Sequence, residues 1–136
     1  MTDPAGWDVA ALTAAFRAHT LSPVESLAEV LARIEQWEPR INALVAADRS
    51  AAQADAATAA AQSEARWRRG EPLGPLDGIP VTVKENLARA GVPMRAGCAG
   101  ATPVVPIRDA PAVERLRETG AVIVGATTMP DWGMLS

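Results

Sequence analysis

The stretch Gly74-Pro75-Leu76-Asp77-Gly78-Ile79-Pro80-Val81-Thr82-Val83-Lys84-Glu85-Asn86 constrains this chain more than any other. Before it, alanine and charge dominate. From about Gly70 onward glycine, proline and β-branched residues take over, so the fold has to switch from helices to strands there. Ile79, Val81 and Val83 alternate with Pro80, Thr82 and Lys84. A strand would therefore put three aliphatic side chains on one face and Lys84 on the other, with the lysine at its end. Farther on, Ala121-Val122-Ile123-Val124-Gly125 is a continuous apolar run of the kind found in a strand covered on both faces. Between them, Asp109-Ala110-Pro111 opens a helix carrying Val113 and Leu116 that Gly120 ends. Residues 87 to 108 hold several glycines and prolines and read mostly as loop. Strand, helix, strand is the grammar of an α/β sheet.

Helices precede these strands. Asp8 to His19 carries Val9, Leu12 and Phe16 at helical spacing, with Asp8 at its N-terminus. Ser22-Pro23-Val24-Glu25 announces a second helix: Ser22 caps, Pro23 takes the first helical position and Glu25 completes a capping box. Val24, Leu27, Leu31 and Ile34 form its stripe, and Pro39 is expected to stop it. Ile41-Asn42-Ala43-Leu44-Val45 suits a short strand. The alanine-rich stretch from about Asp48 to Arg69 has high helix propensity and few large apolar residues, which predicts a long surface helix closed by Gly70.

The 136 residues, 49% of them hydrophobic, suffice for one core. A net charge of −3 with both signs interspersed presents no cationic face, which argues against nucleic acid and anionic membranes as partners. The N-terminus lacks the blocks of a signal peptide and no apolar run reaches membrane-spanning length, so a cytoplasmic location is expected. One cysteine, Cys98, and one histidine, His19, leave no metal-ligand cluster and no histidine-based triad. No metal or cofactor is expected. Gly70, Gly74 and Gly78 match neither a dinucleotide fingerprint nor a Walker loop and read as turns. Cys98 reads as a packed or loop residue, His19 as a polar residue at a helix end, and Trp7, Trp37, Trp67 and Trp132 as packing residues.

Three ordered stretches resemble the amidase-signature family. Leu21-Ser22-Pro23-Val24-Glu25-Ser26-Leu27, with Arg33-Ile34 and Ile41-Asn42-Ala43, is similar to the family's N-terminal helix and the turn after it. Gly74 to Lys84 is similar to its lysine strand. Asp109-Ala110-Pro111, Val113, Leu116, Gly120-Ala121, Ile123 and Thr127-Thr128-Met129-Pro130 resemble the helix and strand leading toward its serines. Glu85 stands where aspartate is frequent, Thr128 where asparagine is, and Met94-Arg95 where threonines are. The resemblance implies the N-terminal portion of an α/β/α fold with a mixed central sheet. Residues 1–136 would be the first part of one domain, helical over 1–70, with the strand-helix-strand part over 71–136.

It also implies hydrolysis of a small-molecule carboxamide by a nucleophilic serine and a cis-serine, with lysine as the base, here Lys84. Such a lysine must give up its proton to work, and burial under later chain would favour that. The family's serines lie in a glycine- and serine-rich stretch downstream. None of Ser22, Ser26, Ser50, Ser63 and Ser136 has that context. By analogy Gly133 and Met134 approach the acyl side of the substrate. The alternatives are an amidotransferase A-type subunit, or an inactive remnant or interaction module. Ending just after an apolar strand suggests an interrupted domain, and the isolated chain is expected to hydrolyse no amide and to expose apolar sheet surface. A homodimer is one state open to the complete protein.

Overall fold

The computed structural model describes residues 6–45 and 49–134. Its elements, in order, are α1 (Val9–Arg17), α2 (Pro23–Ile41), α3 (Arg49–Arg69), β1 (Pro80–Lys84), α4 (Pro111–Glu118), β2 (Val122–Thr127) and a 3-10 turn over Asp131–Gly133. The expected start of α3 at Asp48 and the C-terminal Ser136 lie outside the described residues.

The helix starts follow local chemistry. Asp8 caps α1 by accepting from the Ala11 N–H at 2.7 Å. Ser22 accepts from the Glu25 N–H while the Glu25 carboxylate accepts from the Ser22 N–H, so the predicted capping box is formed. Val9 and Val24, both assigned to apolar stripes, are 42% and 41% exposed, whereas Pro23 beside Val24 is fully buried, so the packed face of α2 begins with the proline.

Pro39 does not stop α2. The helix runs on to Ile41 and ends at Asn42, which adopts left-handed geometry and donates its N–H to the Glu38 carbonyl at 2.8 Å. A proline removes one ladder bond and crowds the carbonyl four residues back, and with only two helical residues after it the disturbance stays confined to the last turn. The buried Glu38 carboxylate takes the Ala43 and Leu44 N–H groups at 3.2 and 2.9 Å and pairs with Arg49 at 3.2 Å. That fixes the exit of the chain. Residues 41 to 45 accordingly form no strand of their own. Leu44 makes a single antiparallel bridge to Thr127, flanked by Val45 N–H to Ala126 O and Thr128 N–H to Ala43 O.

β1 and β2 pair in parallel, Pro80 opposite Val122 and Lys84 opposite Thr127, with a register shift after Val81. β2 is buried along nearly its whole length because both its faces are covered. Val122 and Val124 pack with Leu27, Ala56 and Ala60 of α2 and α3, while Ile123 packs with Val83 and with Val113 of α4. This is a three-layer arrangement, helices on both sides of a small sheet. A further cluster joins Leu12, Phe16, Trp67 and Ile79, anchoring α1 to the entrance of β1.

α3 is not a surface helix. Ala52, Ala56, Ala60, Ser63 and Trp67 form a buried stripe at helical spacing. Small side chains on that stripe let the helix backbone lie close against β2, so the alanines make a packing face that lacks bulky residues. Two of the tryptophans also depart from expectation. Trp37 is 45% exposed beneath the Arg40 guanidinium, and Trp132 is 64% exposed in the final turn.

Candidate active site

Lys84 sits where its sequence places it, at the carboxyl end of β1 with an exposed side chain, while the preceding Val83 is 3% exposed on the opposite face. Parallel strands deliver their carboxyl ends to one edge of the sheet, and the loops leaving that edge are where open α/β folds assemble sites. Here that edge gathers the turn after Lys84, the loop through residues 94–98 and the turn over residues 128–134.

The entrance of β1 is pinned first. Asp77 is fully buried and forms a two-pronged pair with Arg66 of α3, at 2.9 Å to Nε and 2.7 Å to the terminal nitrogen. The Leu73 N–H adds a bond at 2.9 Å, and the Trp67 indole donates to the Asp77 carbonyl at 3.0 Å. Burial pushes the Asp77 carboxyl up. The Arg66 guanidinium, the Leu73 N–H and the facing Ser63 hydroxyl outweigh it and hold the group below its ordinary value. In the structure itself Ser63 Oγ faces this site without completing a hydrogen bond. The bond to Asp77 in turn raises Arg66 against its own burial. Gly78 follows with φ +84°, and a Cβ there would come within 2.6 Å of Ser63 Oγ and 2.8 Å of Pro23. Only glycine lets α2, α3 and the strand entrance converge at that point.

The exit of β1 is held by Glu85, which sequence reasoning treated only as a departure from a pattern. Its N–H donates to the Thr127 carbonyl at 3.1 Å, extending the strand pairing. Its carboxylate is 7% exposed and accepts the Arg95 N–H through Oε1 and the Gly97 N–H through Oε2, both at 2.8 Å. The adjoining Ala96 carbonyl accepts the Trp132 N–H at 2.8 Å. Gly97, at φ +76°, lies so close to the last turn that a Cβ would fall 2.6 Å from the carbonyl oxygens of Met129 and Pro130. Gly133 and Met134 are thus tied to the lysine strand through this loop, and both are exposed, Met134 to 81%. A side chain bonding across ten or more positions has no signature in a single sequence, so Glu85 could not be found by spacing.

On the Thr82 side of the sheet an open groove of about 300 Å³ is lined by Ile34, Trp37, Ile41, Leu44, Thr82 and Thr127. Among the described residues there is no group of three or more histidine, cysteine or acidic side chains that could hold a metal, and no helix long and apolar enough to cross a membrane. Ser22 is spent on capping, and Ser26 and Ser63 are buried in helix packing, at 1% and 0% exposure.

The family model for amidases matches residues 25–136. The A-type subunit of the mitochondrial glutamyl-tRNA(Gln) amidotransferase of Ixodes scapularis is 37% identical over 90% of this chain and 23% of its own length. An acylamidase of Rhodococcus erythropolis is 35% identical over 90% of this chain and 25% of its own. Among solved structures, the peptide amidase of Stenotrophomonas maltophilia superposes with a TM-score of 0.79 at 34% identity, over 94% of this chain and 26% of that one. The chain therefore spans about a quarter of the length of the relatives it matches.

Proposed function

Since this chain belongs to the amidase family, we propose that it is the N-terminal portion of an amidohydrolase acting on the C–N bond of a non-peptide carboxamide, with Lys84 as the base. In this reading Lys84 Nζ, when neutral, takes a proton relayed through a cis-serine from a nucleophilic serine. The serine Oγ bonds to the amide carbon, and the tetrahedral adduct expels the amine as it gains a proton. Water then releases the acid from the acyl-enzyme. Neither serine is supplied by the serines of this chain. Gly133 and Met134 would contact the acyl side of the substrate.

The observation that supports this reading is the placement of Lys84. It stands at the carboxyl edge of a parallel strand pair, projects away from the core, and is flanked by loops that converge on the same edge. A second reading, an amidotransferase A-type subunit, is favoured by the identity to such subunits, which reaches 39% over 93% of this chain for the one from Nitratidesulfovibrio vulgaris.

The test is to sequence the gene past codon 136 and express the longest reading frame containing these residues. It would be assayed on benzamide, acetanilide and amino-acid amides, and on glutamine with and without glutamyl-tRNA. Turnover of a free amide supports the hydrolase; glutamine-dependent amidation only in the presence of further subunits supports the second reading. Lys84→Ala should lower kcat on the best amide by about 10⁴-fold or more, the scale seen when one member of a catalytic unit is removed. Turnover surviving within tenfold would reject Lys84 as the base. The 136 residues alone supply a base and no nucleophile, and should hydrolyse nothing.

A further inference from the structure

We infer that Glu85 is a positioning residue. Its carboxylate fixes the loop 95–97, and through it the substrate-contacting turn 130–134, at a set distance from Lys84. The inference rests on the amidohydrolase reading above.

Three linked observations carry it. Glu85 is covalently next to Lys84 and locked to β2 through its own N–H, so its side chain starts from a fixed point. Its two oxygens are each taken by a different backbone donor of one short loop, Arg95 and Gly97. An ionised carboxylate accepts at both oxygens, whereas an amide of the same shape would turn a donor toward one of those N–H groups. The loop is in turn seated on the last turn by the Trp132 N–H to Ala96 bond and by the close approach of Gly97 to Met129 and Pro130. Lys84 and the proposed acyl-side contacts thus share one rigid strut.

A strut of this kind shapes substrate binding more than proton transfer, because Lys84 keeps its own place on β1 when the loop moves. The first measurement is amide hydrogen exchange on the 136-residue chain. In Glu85→Gln, exchange at Arg95 and Gly97 should quicken roughly tenfold to a hundredfold, the worth of a hydrogen bond to a charged acceptor. Exchange at Val122, bonded to the Ile79 carbonyl in the core, should stay as in the wild type. Unchanged exchange at both loop amides would overturn the strut.

The second is steady-state kinetics of the long reading frame on the panel amide it turns over fastest. Glu85→Gln should raise KM about tenfold more than it lowers kcat. Should that variant not fold, Gly97→Ala tests the same link from the other side: it leaves Glu85 intact but forces the loop off the turn, and KM should again rise. Wild-type turnover is the control for the reading on which this rests. With it in hand, an unchanged KM in both variants, or kcat falling in step with the folded fraction at constant KM, sinks the role of Glu85 and not the reaction class.

Discussion

Asp77 concentrates more of the local physics than any other side chain described. It carries a formal charge in a place where it has no exposed surface, and that is tolerable only because Arg66, the Leu73 N–H and nearby polar groups surround it. Removing one partner of such a pair strands the other. Asp77→Ala should therefore cost about 3–5 kcal/mol of stability, read from the urea midpoint. The same carboxyl makes an acid-sensitive hinge point. Because its folded-state pKa lies below its ordinary value, it adds stability that is fully present above the unfolded value near 4 and is lost as pH falls through the depressed one. Denaturation midpoints measured from pH 6 down to pH 2 should fall more steeply in the wild type than in Asp77→Asn, which has no proton to gain. Parallel curves would remove Asp77 as the source. Neither Asp77 nor Glu85 could be singled out from the chain as read. Each acts on groups brought near by folding, eleven positions away for Arg66 and ten and twelve for Arg95 and Gly97.

At the level of elements, what could be read in advance was whatever short-range chemistry sets. The capping box at Ser22, the stop at Gly70, the two-faced β1 and the doubly covered β2 all follow from neighbours within a turn or a strand. What could not be read was the depth of α3. Alanine is equally at home on a surface and in a tight interface, and only the partner decides. Here Ala56 and Ala60 are 1% and 0% exposed against Val122, Val124 and Leu27, whereas the neighbouring Ala57 faces outward. The stripe predicts an asymmetric response to one kind of change. Ala60→Leu should cost about 1–3 kcal/mol through overpacking of α3 on β2, while Ala57→Leu should stay within about 0.5 kcal/mol of the wild type. Thermal melts of the two variants side by side decide it. Equal effects would mean that α3 lies on the sheet more loosely than the buried stripe implies.

Across the whole molecule, the residues that hold the fold and those assigned to chemistry are separate sets. The three core clusters draw on α1 to α4, β1 and β2, yet Lys84, Gly133 and Met134 belong to none of them and are exposed. The place of the lysine at the end of β1 was legible in the sequence, because the alternation of Val81 and Val83 with Thr82 marks the strand that carries it. Trp37, expected to pack, instead lines an open groove beside Thr82 and is 45% exposed. The separation has a measurable consequence in the 136-residue chain itself. Lys84→Ala removes a solvent-facing side chain and should shift the unfolding free energy by no more than about 0.5 kcal/mol. Ile79→Ala, five positions earlier on the same strand entrance and 3% exposed, should cost about 2–5 kcal/mol by opening a cavity among Leu12, Phe16 and Trp67. Equilibrium urea denaturation followed by far-UV circular dichroism reports both. A destabilisation by Lys84→Ala comparable to that of Ile79→Ala would make the lysine part of the scaffold, and a loss of turnover on its removal could then no longer be assigned to a missing base.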